Sequence, residues 1–98
     1  MRVYIAGAIQ GVADYEERFA EAEYQIRAKG DSPVNPAKIG RILEETIAAP
    51  GWKDYMTVTS AYLHLCDAVY FIPGWEFSKG AVTERLQALK EGKEFYIM

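Results

Sequence analysis

Short apolar runs and longer runs with helical spacing alternate along the chain. Residues 1–6 and 67–72 are short, rich in β-branched and aromatic side chains and closed by glycine or proline, which is typical of buried strands. Weaker runs at 32–36 and 95–98 predict two more strands. Pro33 has no backbone donor, so we expect the strand at 32–36 to lie at an edge of the sheet.

Apolar side chains recur at steps of three and four residues between positions 15 and 29, which predicts an amphipathic helix. Asp14 is a candidate N-terminal cap of this helix, and Gly30 is a plausible residue for its end. Similar patterns predict three further helices, at about 38–49, 52–65 and 79–91.

This order of strands and helices is typical of a parallel sheet covered by helices on both faces. Right-handed crossovers and a central first strand favour the strand order 2-1-3-4. The sequence therefore predicts one α/β domain over residues 1–98, a three-layer Rossmann/flavodoxin-like sandwich with a four-stranded parallel sheet.

Composition narrows the possible partners and compartments. The formal net charge is −3 and no cluster of lysine or arginine occurs, which argues against binding to nucleic acid polymers. No apolar run approaches the roughly 18 residues of a membrane span, so no membrane partner is expected. Cys66 is the one cysteine and cannot form an internal disulfide, so we expect a reduced, buried thiol and a cytoplasmic protein.

Chemistry is expected past the C-terminal end of the strand at 67–72. In open α/β sheets the strand-to-helix loops converge at that edge, and helix N-termini point free N–H groups at the opening. Four residues of interest follow the strand on that side: Trp75, Ser78, Gly80 and Glu84.

Four short motifs, in this order and spacing, resemble one known family. They are Val-Tyr-Ile-Ala-Gly at 3–7, Asn-Pro at 35–36, Cys-Asp-Ala at 66–68 and Pro-Gly-Trp-Glu-x-Ser-x-Gly-Ala-x-x-Glu at 73–84, whose most specific part is Ser-x-Gly-x-x-x-Glu at 78–84. Together they resemble the small phage and bacterial branch (DUF4406-like) of the nucleoside 2-deoxyribosyltransferase-like superfamily, which also includes deoxynucleoside 5′-monophosphate N-glycosidases.

The resemblance implies cleavage of the bond between a nucleobase and C1′ of 2-deoxyribose, with transfer of the sugar to another base or to water. Glu84 matches the family's glutamate nucleophile, and a carboxylate suits an oxocarbenium-like transition state. Tyr4 matches the tyrosine that orients this nucleophile. The alternatives are a solvent-facing Glu84 paired with Arg85 or a lysine, and a Tyr4 that serves only in packing.

Further substrate contacts are implied at Ser78, Gly7 and Gly80. Ser78 matches a residue that contacts the sugar 5′ group, but a serine there can equally cap a helix. Gly7 and Gly80 allow close approach of a ligand to the backbone, or else satisfy turns with positive φ.

The tryptophans Trp75 and Trp52 are candidate platforms for a flat base, or else plugs at the edge of the core. Ala8 and Gln10 stand where monophosphate-specific relatives carry a serine and an arginine around the phosphate. Loss of a charged phosphate contact favours 2′-deoxynucleosides over nucleotides as substrates.

One departure bears on activity. Thr59 stands where family enzymes usually have an aspartate that helps to protonate the leaving base, and a threonine hydroxyl is no general acid near neutral pH. Another acid such as Glu76 or Asp54 would have to serve, or activity is low or absent. A catalytically inactive nucleoside-binding or small-metabolite-binding module and a phage-associated interaction protein therefore remain alternatives.

We expect no cofactor and no metal, since His64 has no neighbours with metal-ligand spacing and fits a helix surface. Asp67, at the start of a strand, is expected to bond backbone N–H groups. Relatives complete their site with residues of a neighbouring subunit, so the resemblance implies a homodimer or a higher homo-oligomer.

Overall fold

The computed structural model describes all residues, 1–98. The strands are β1 (Arg2–Ala6), β2 (Ser32–Val34), β3 (Ala68–Phe71) and β4 (Glu94–Phe95). The α-helices are α1 (Tyr15–Ala28), α2 (Pro36–Thr46), α3 (Trp52–His64) and α4 (Lys79–Lys90). A single 3₁₀ turn, which the sequence pattern does not predict, spans Trp75–Phe77 between β3 and α4.

All four strands are parallel and lie in the order β2-β1-β3-β4, as predicted. β1 is central and pairs with β2 on one side and with β3 on the other. Its register with β3 joins Val3 to Ala68 and Ala6 to Phe71. The C-terminal ends of β1 and β3 therefore lie side by side at one edge of the sheet.

Side chains of β1 alternate between two buried layers, as the two-residue period of a strand requires. Val3 and Ile5 pack against α1, whose buried face includes Phe19 and Ile26. On the other face the β1 side chains pack with residues of α3 and α4, a cluster made of Tyr4, Ala6, Leu63, Cys66, Val69, Ala81 and Ala88. Three layers result, and Tyr4 points toward the layer that contains α4.

Three predictions about strand ends and a helix cap were wrong, and the helix predicted at about 38–49 spans Pro36–Thr46 instead. The strand at 32–36 ends at Val34, because the Asn35 side chain accepts a hydrogen bond from Ala37 N–H (3.0 Å) and caps α2, which begins at Pro36. The last strand is Glu94–Phe95 rather than 95–98, since pairing stops after Tyr96 N–H donates to Val69 O (2.8 Å).

The third wrong prediction is the Asp14 cap. Asp14 stands at the N-cap position of α1, but its carboxylate accepts a hydrogen bond from Arg18 Nε (3.0 Å) and makes no cap bond.

Asp67 joins the starts of β1 and β3, because its carboxylate accepts the Arg2 N–H at 2.8 Å, as predicted. Cys66 is buried, also as predicted, and burial raises the pKa of its thiol to about 11. His64 lies on the surface of α3, where its ring contacts Glu91 at 3.1 Å. No helix has the length and apolar character needed to cross a bilayer.

Candidate functional site

Glu84 is buried, with 6% of its surface exposed, and its carboxylate accepts a hydrogen bond from the Tyr4 hydroxyl. The bond joins α4 to the central strand across 80 positions of sequence. Arg85 does not pair with Glu84; its guanidinium lies 5.6 Å from the ring centre of Trp75. The alternative of a solvent-facing glutamate paired with a neighbouring cation is therefore wrong.

Burial sets the ionisation of this pair. It raises the pKa of Glu84 to about 7, because desolvation penalises the carboxylate, while the hydrogen bond from Tyr4 acts in the opposite direction. The pKa of Tyr4 lies well above its usual value, through burial first and then the charge of Glu84. Tyr4 thus remains a proton donor at any physiological pH, and Glu84 changes charge close to neutrality.

A cleft of about 850 Å³ opens above this pair at the C-terminal edge of the sheet. Its wall includes the loop after β1, parts of α1 and α2, the start of α3 and the start of α4. The volume lies within the range of small-molecule sites. Glu84 borders the cleft, so its carboxyl group is both desolvated and next to a space that a ligand can enter.

Most of the residues predicted from the sequence meet at this cleft. Those that border it together with Glu84 are Gly7, Ala8, Gln10, Trp52, Ser78 and Gly80. Tyr4 is fully buried beneath Glu84.

The position of Ser78 is compatible with both roles considered for it, and the structure contains the hydrogen bond of one of them, the helix cap. Its hydroxyl oxygen accepts a hydrogen bond from Ala81 N–H at 3.2 Å and caps α4, and the residue also borders the cleft. A ligand in the cleft would therefore meet both the serine and the N-terminus of α4.

Gly7 and Gly80 do not adopt positive φ, so that explanation for them is wrong. A Cβ at Gly7 would lie 3.0 Å from the Cβ of Ile72, tighter than most side-chain contacts, so a larger residue would require Ile72 to shift. The loop after β1 therefore passes close over the residue that follows β3. This packing holds the loop that carries Ala8 at the rim of the cleft.

The two tryptophans have separate surroundings. Trp75 lies in the 3₁₀ turn with its ring centre 5.0 Å from that of Phe71, and it does not border the cleft. Trp52, the first residue of α3, does border it. Phe77, at the end of the 3₁₀ turn, borders the cleft as well and was missed by sequence reasoning.

Thr59 is fully buried and does not reach the cleft. Its hydroxyl is 3.4 Å from Met56 O, and it lowers the pKa of Tyr4 by hydrogen bonding, against the dominant effect of burial. Neither alternative acid borders the cleft, and the Asp54 carboxylate accepts the Gly51 N–H at 2.8 Å. The other carboxylate on the cleft wall is the exposed Glu44.

Sequence reasoning also missed the polar groups that α2, α3 and α4 bring to the cleft. Arg41 donates to both carboxylate oxygens of Glu16 at 3.2 and 3.0 Å. The Tyr55 hydroxyl donates to Pro36 O at 3.2 Å, and burial, then the charge of Glu84, raise its pKa. Tyr55 lies three residues after Trp52 on α3, and this helical spacing is the signal in the sequence that would place the two side chains on the same face.

Metal ligation has no obvious place here. No three His, Cys, Asp or Glu side chains are grouped as a metal site would require.

Comparison with protein families finds a match for the chain. No curated protein matches the chain. The family described as a domain of unknown function (DUF4406) matches residues 1–97, nearly the whole chain. The chain belongs to the DUF4406 family.

Proposed function

We propose that the protein cleaves the N-glycosidic bond of 2′-deoxynucleosides, with Glu84 as nucleophile and either water or a second base as acceptor. The observation that carries the proposal is the buried Glu84, oriented by Tyr4 and bordering a cleft of ligand size. A glutamate with only a structural role gains no stability from a desolvated position beside an open cleft. Desolvation with a single oriented donor is typical of catalytic carboxylates.

The first step uses the ionised carboxylate. A carboxylate oxygen of Glu84 attacks C1′, the bond from C1′ to the base nitrogen breaks, and the base leaves with the bonding electron pair and takes a proton from solvent water. The product is a glycosyl ester on Glu84. In the second step water or another base attacks C1′, loses a proton to solvent and releases the carboxylate.

Tyr4 acts as a positioning residue. Its hydroxyl donates to Oε2 of Glu84 and leaves Oε1 free to approach C1′. The bond also favours the ionised, nucleophilic form, because it lowers the pKa of Glu84 against the effect of burial. We therefore expect the rate of base release to rise with pH through about 7.

No buried acid other than Glu84 borders the cleft, since Thr59 is buried away from it and the remaining carboxylate on its wall, Glu44, is exposed to solvent. General acid catalysis is commonly worth ~10²–10⁴ in rate, so turnover is expected to be slow compared with enzymes that have an acid at this place. The burial of Thr59 favours a second candidate, a module that binds nucleosides without turnover.

The deciding experiment measures free base. Each of the four common 2′-deoxynucleosides is incubated with the protein and with Glu84→Gln, and released base is separated by chromatography. We expect base release that falls roughly 10³-fold or more in the variant. Tyr24→Ala, on the exposed side of α1, is a control for surface substitution.

Two results would contradict the enzymatic proposal. Base release that persists in Glu84→Gln would exclude Glu84 as nucleophile. Absence of base release, with nucleoside affinity measured by calorimetry, would establish the binding module in its place.

A further inference from the structure

Phe77 is the most exposed large apolar side chain of the protein, with 88% of its surface accessible. Pro73 and Gly74 precede the 3₁₀ turn, and Gly74 has φ of +94°, a conformation that favours glycine. The turn places Trp75 against Phe71 and leaves Phe77 facing the cleft. An exposed aromatic ring on a cleft wall has apolar area that a ligand can cover.

Trp52 and Met56 border the same cleft from α3. A Cβ at Gly80 would lie 3.5 Å from Met56 Sδ and 3.9 Å from Trp52 Nε1. The start of α3 therefore packs on the first turn of α4, three residues after Phe77. With 39% of its surface exposed, Trp52 also keeps ring area open to the cleft.

Lys79 adds a cation to this end of the cleft. Lys79 Nζ lies 4.5 Å from the ring centre of Trp52 and makes no ion pair. Its ammonium group can donate to acceptor atoms of a ligand that covers Trp52. A heteroaromatic ring supplies such acceptors at its edge and an apolar face for stacking.

We propose that Phe77 and Trp52 form the subsite for the planar heteroaromatic ring of the ligand, which is the nucleobase if the proposed function holds. The cleft volume of about 850 Å³ accommodates a nucleoside and not a folded protein domain. Stacking depends on the flat face of a ring, which every nucleobase has, and it therefore tolerates different bases. The subsite therefore binds several nucleobases with similar affinity.

The test measures binding separately from turnover. In the Glu84→Gln background, 2′-deoxyadenosine, 2′-deoxyguanosine, 2′-deoxycytidine and thymidine are titrated against Phe77→Ala, Trp52→Ala and the control Tyr24→Ala, which removes an exposed aromatic ring outside the cleft. Loss of stacking on one side chain is worth ~1–3 kcal/mol, so we expect Kd to rise roughly 5- to 150-fold for Phe77→Ala and for Trp52→Ala. Tyr24→Ala is expected to bind as the background protein does.

Tryptophan fluorescence supplies a second readout. In Trp75→Phe the remaining indole is Trp52, and in Trp52→Phe it is Trp75. We expect 2′-deoxyadenosine to quench the emission of Trp52 and to leave that of Trp75 unchanged.

Unchanged Kd in Phe77→Ala and Trp52→Ala, or no binding of any of the four nucleosides, would overturn the subsite even if the wild-type protein releases base. Weakened binding in both variants, without base release by the wild type, would support the subsite and reject the enzymatic function. A change in sedimentation mass of Phe77→Ala with unchanged nucleoside affinity would assign Phe77 to contact between protein chains and would also overturn the proposal.

Discussion

Burial and the hydrogen bond from Tyr4 shift the pKa of the Glu84 carboxyl group in opposite directions. Burial removes water from the carboxylate and raises its pKa, whereas the Tyr4 hydroxyl partly replaces that water and lowers it. No cation contacts Glu84, so burial prevails and the pKa lies at about 7. At neutral pH, Glu84 is therefore ionised in some of the molecules and protonated in the others.

This raised pKa makes stability depend on pH. Below pH 4.5 Glu84 is protonated in both the folded and the unfolded chain, and as pH rises toward 7 only the unfolded chain gives up the proton. The folded state therefore loses stability as pH rises through this window. At about 1.4 kcal/mol for each pH unit of difference, the loss approaches ~3 kcal/mol.

Glu84→Gln keeps the shape and the acceptor for Tyr4 but does not titrate. We expect the free energy of unfolding of the variant, relative to the wild type, to increase between pH 4.5 and 8 by up to about 3 kcal/mol. Urea denaturation at several pH values measures this difference. A constant difference across the window would show that the carboxyl group of Glu84 is not desolvated in the folded protein.

Tyr4→Phe removes the donor and keeps the ring. Because the bond from Tyr4 lowers the pKa of Glu84, we expect that pKa to rise above its wild-type value in the variant, together with the acid limb of the pH–rate profile. Carbon NMR of the glutamate carboxyl signals measures the shift without reference to activity. Tyr55→Phe is the matched control, since its hydroxyl bonds Pro36 O, and an unchanged Glu84 pKa in Tyr4→Phe would contradict the account.

At the scale of elements, the start of α4 is what links the fold to the cleft. Ser78 caps the helix, Gly80 accommodates Met56 of α3, and Glu84 follows on the second turn. The cap fixes the first turn, and with it the approach of Glu84 to Tyr4. A helix that begins one residue later would carry the carboxyl group away from the sheet edge.

Ser78→Ala removes the side-chain acceptor for Ala81 N–H. We expect a loss of about 1 kcal/mol in the free energy of unfolding, since replacing an N-terminal cap by alanine typically costs ~0.5–2 kcal/mol. Chemical denaturation measures it. Ser78→Asn, which keeps an acceptor oxygen, should recover most of the stability, and equal stability of Ser78→Ala and the wild type would show that the cap does not hold α4.

Strand and helix positions follow from the sequence because strong periodic patterns and Gly or Pro residues mark them. The ends of the elements and the 3₁₀ turn are harder to predict from the sequence. The sequence pattern extends the strand through Asn35, because it does not show that the Asn35 side chain caps α2. The 3₁₀ turn has no periodic signal in the sequence. That turn determines that Phe77 and not Trp75 borders the cleft, and no local sequence pattern indicates which of the two aromatic residues lies there.

At the scale of the whole molecule, the parallel sheet brings distant residues to one edge. Tyr4 from β1 and Glu84 from α4 meet because every strand ends at the same side and the crossovers return the chain there. This convergence was predictable from the order of elements and from the spaced motif at 78–84. The contributions of Arg41 and Tyr55 were not, because they depend on how α2 and α3 pack over the cleft.

Mass spectrometry of a trapped glycosyl-enzyme shows directly whether the Glu84 carboxylate forms a covalent bond to the sugar. An arabino nucleoside with fluorine at C2′ destabilises positive charge at C1′ and slows release of the covalent sugar. After incubation with such a purine nucleoside, we expect the intact protein to gain the mass of one fluorinated sugar, the modified peptide to contain Glu84, and Glu84→Gln to remain unmodified. Attachment of the sugar to another residue, or base release without any covalent adduct, would contradict the claim that Glu84 is the nucleophile.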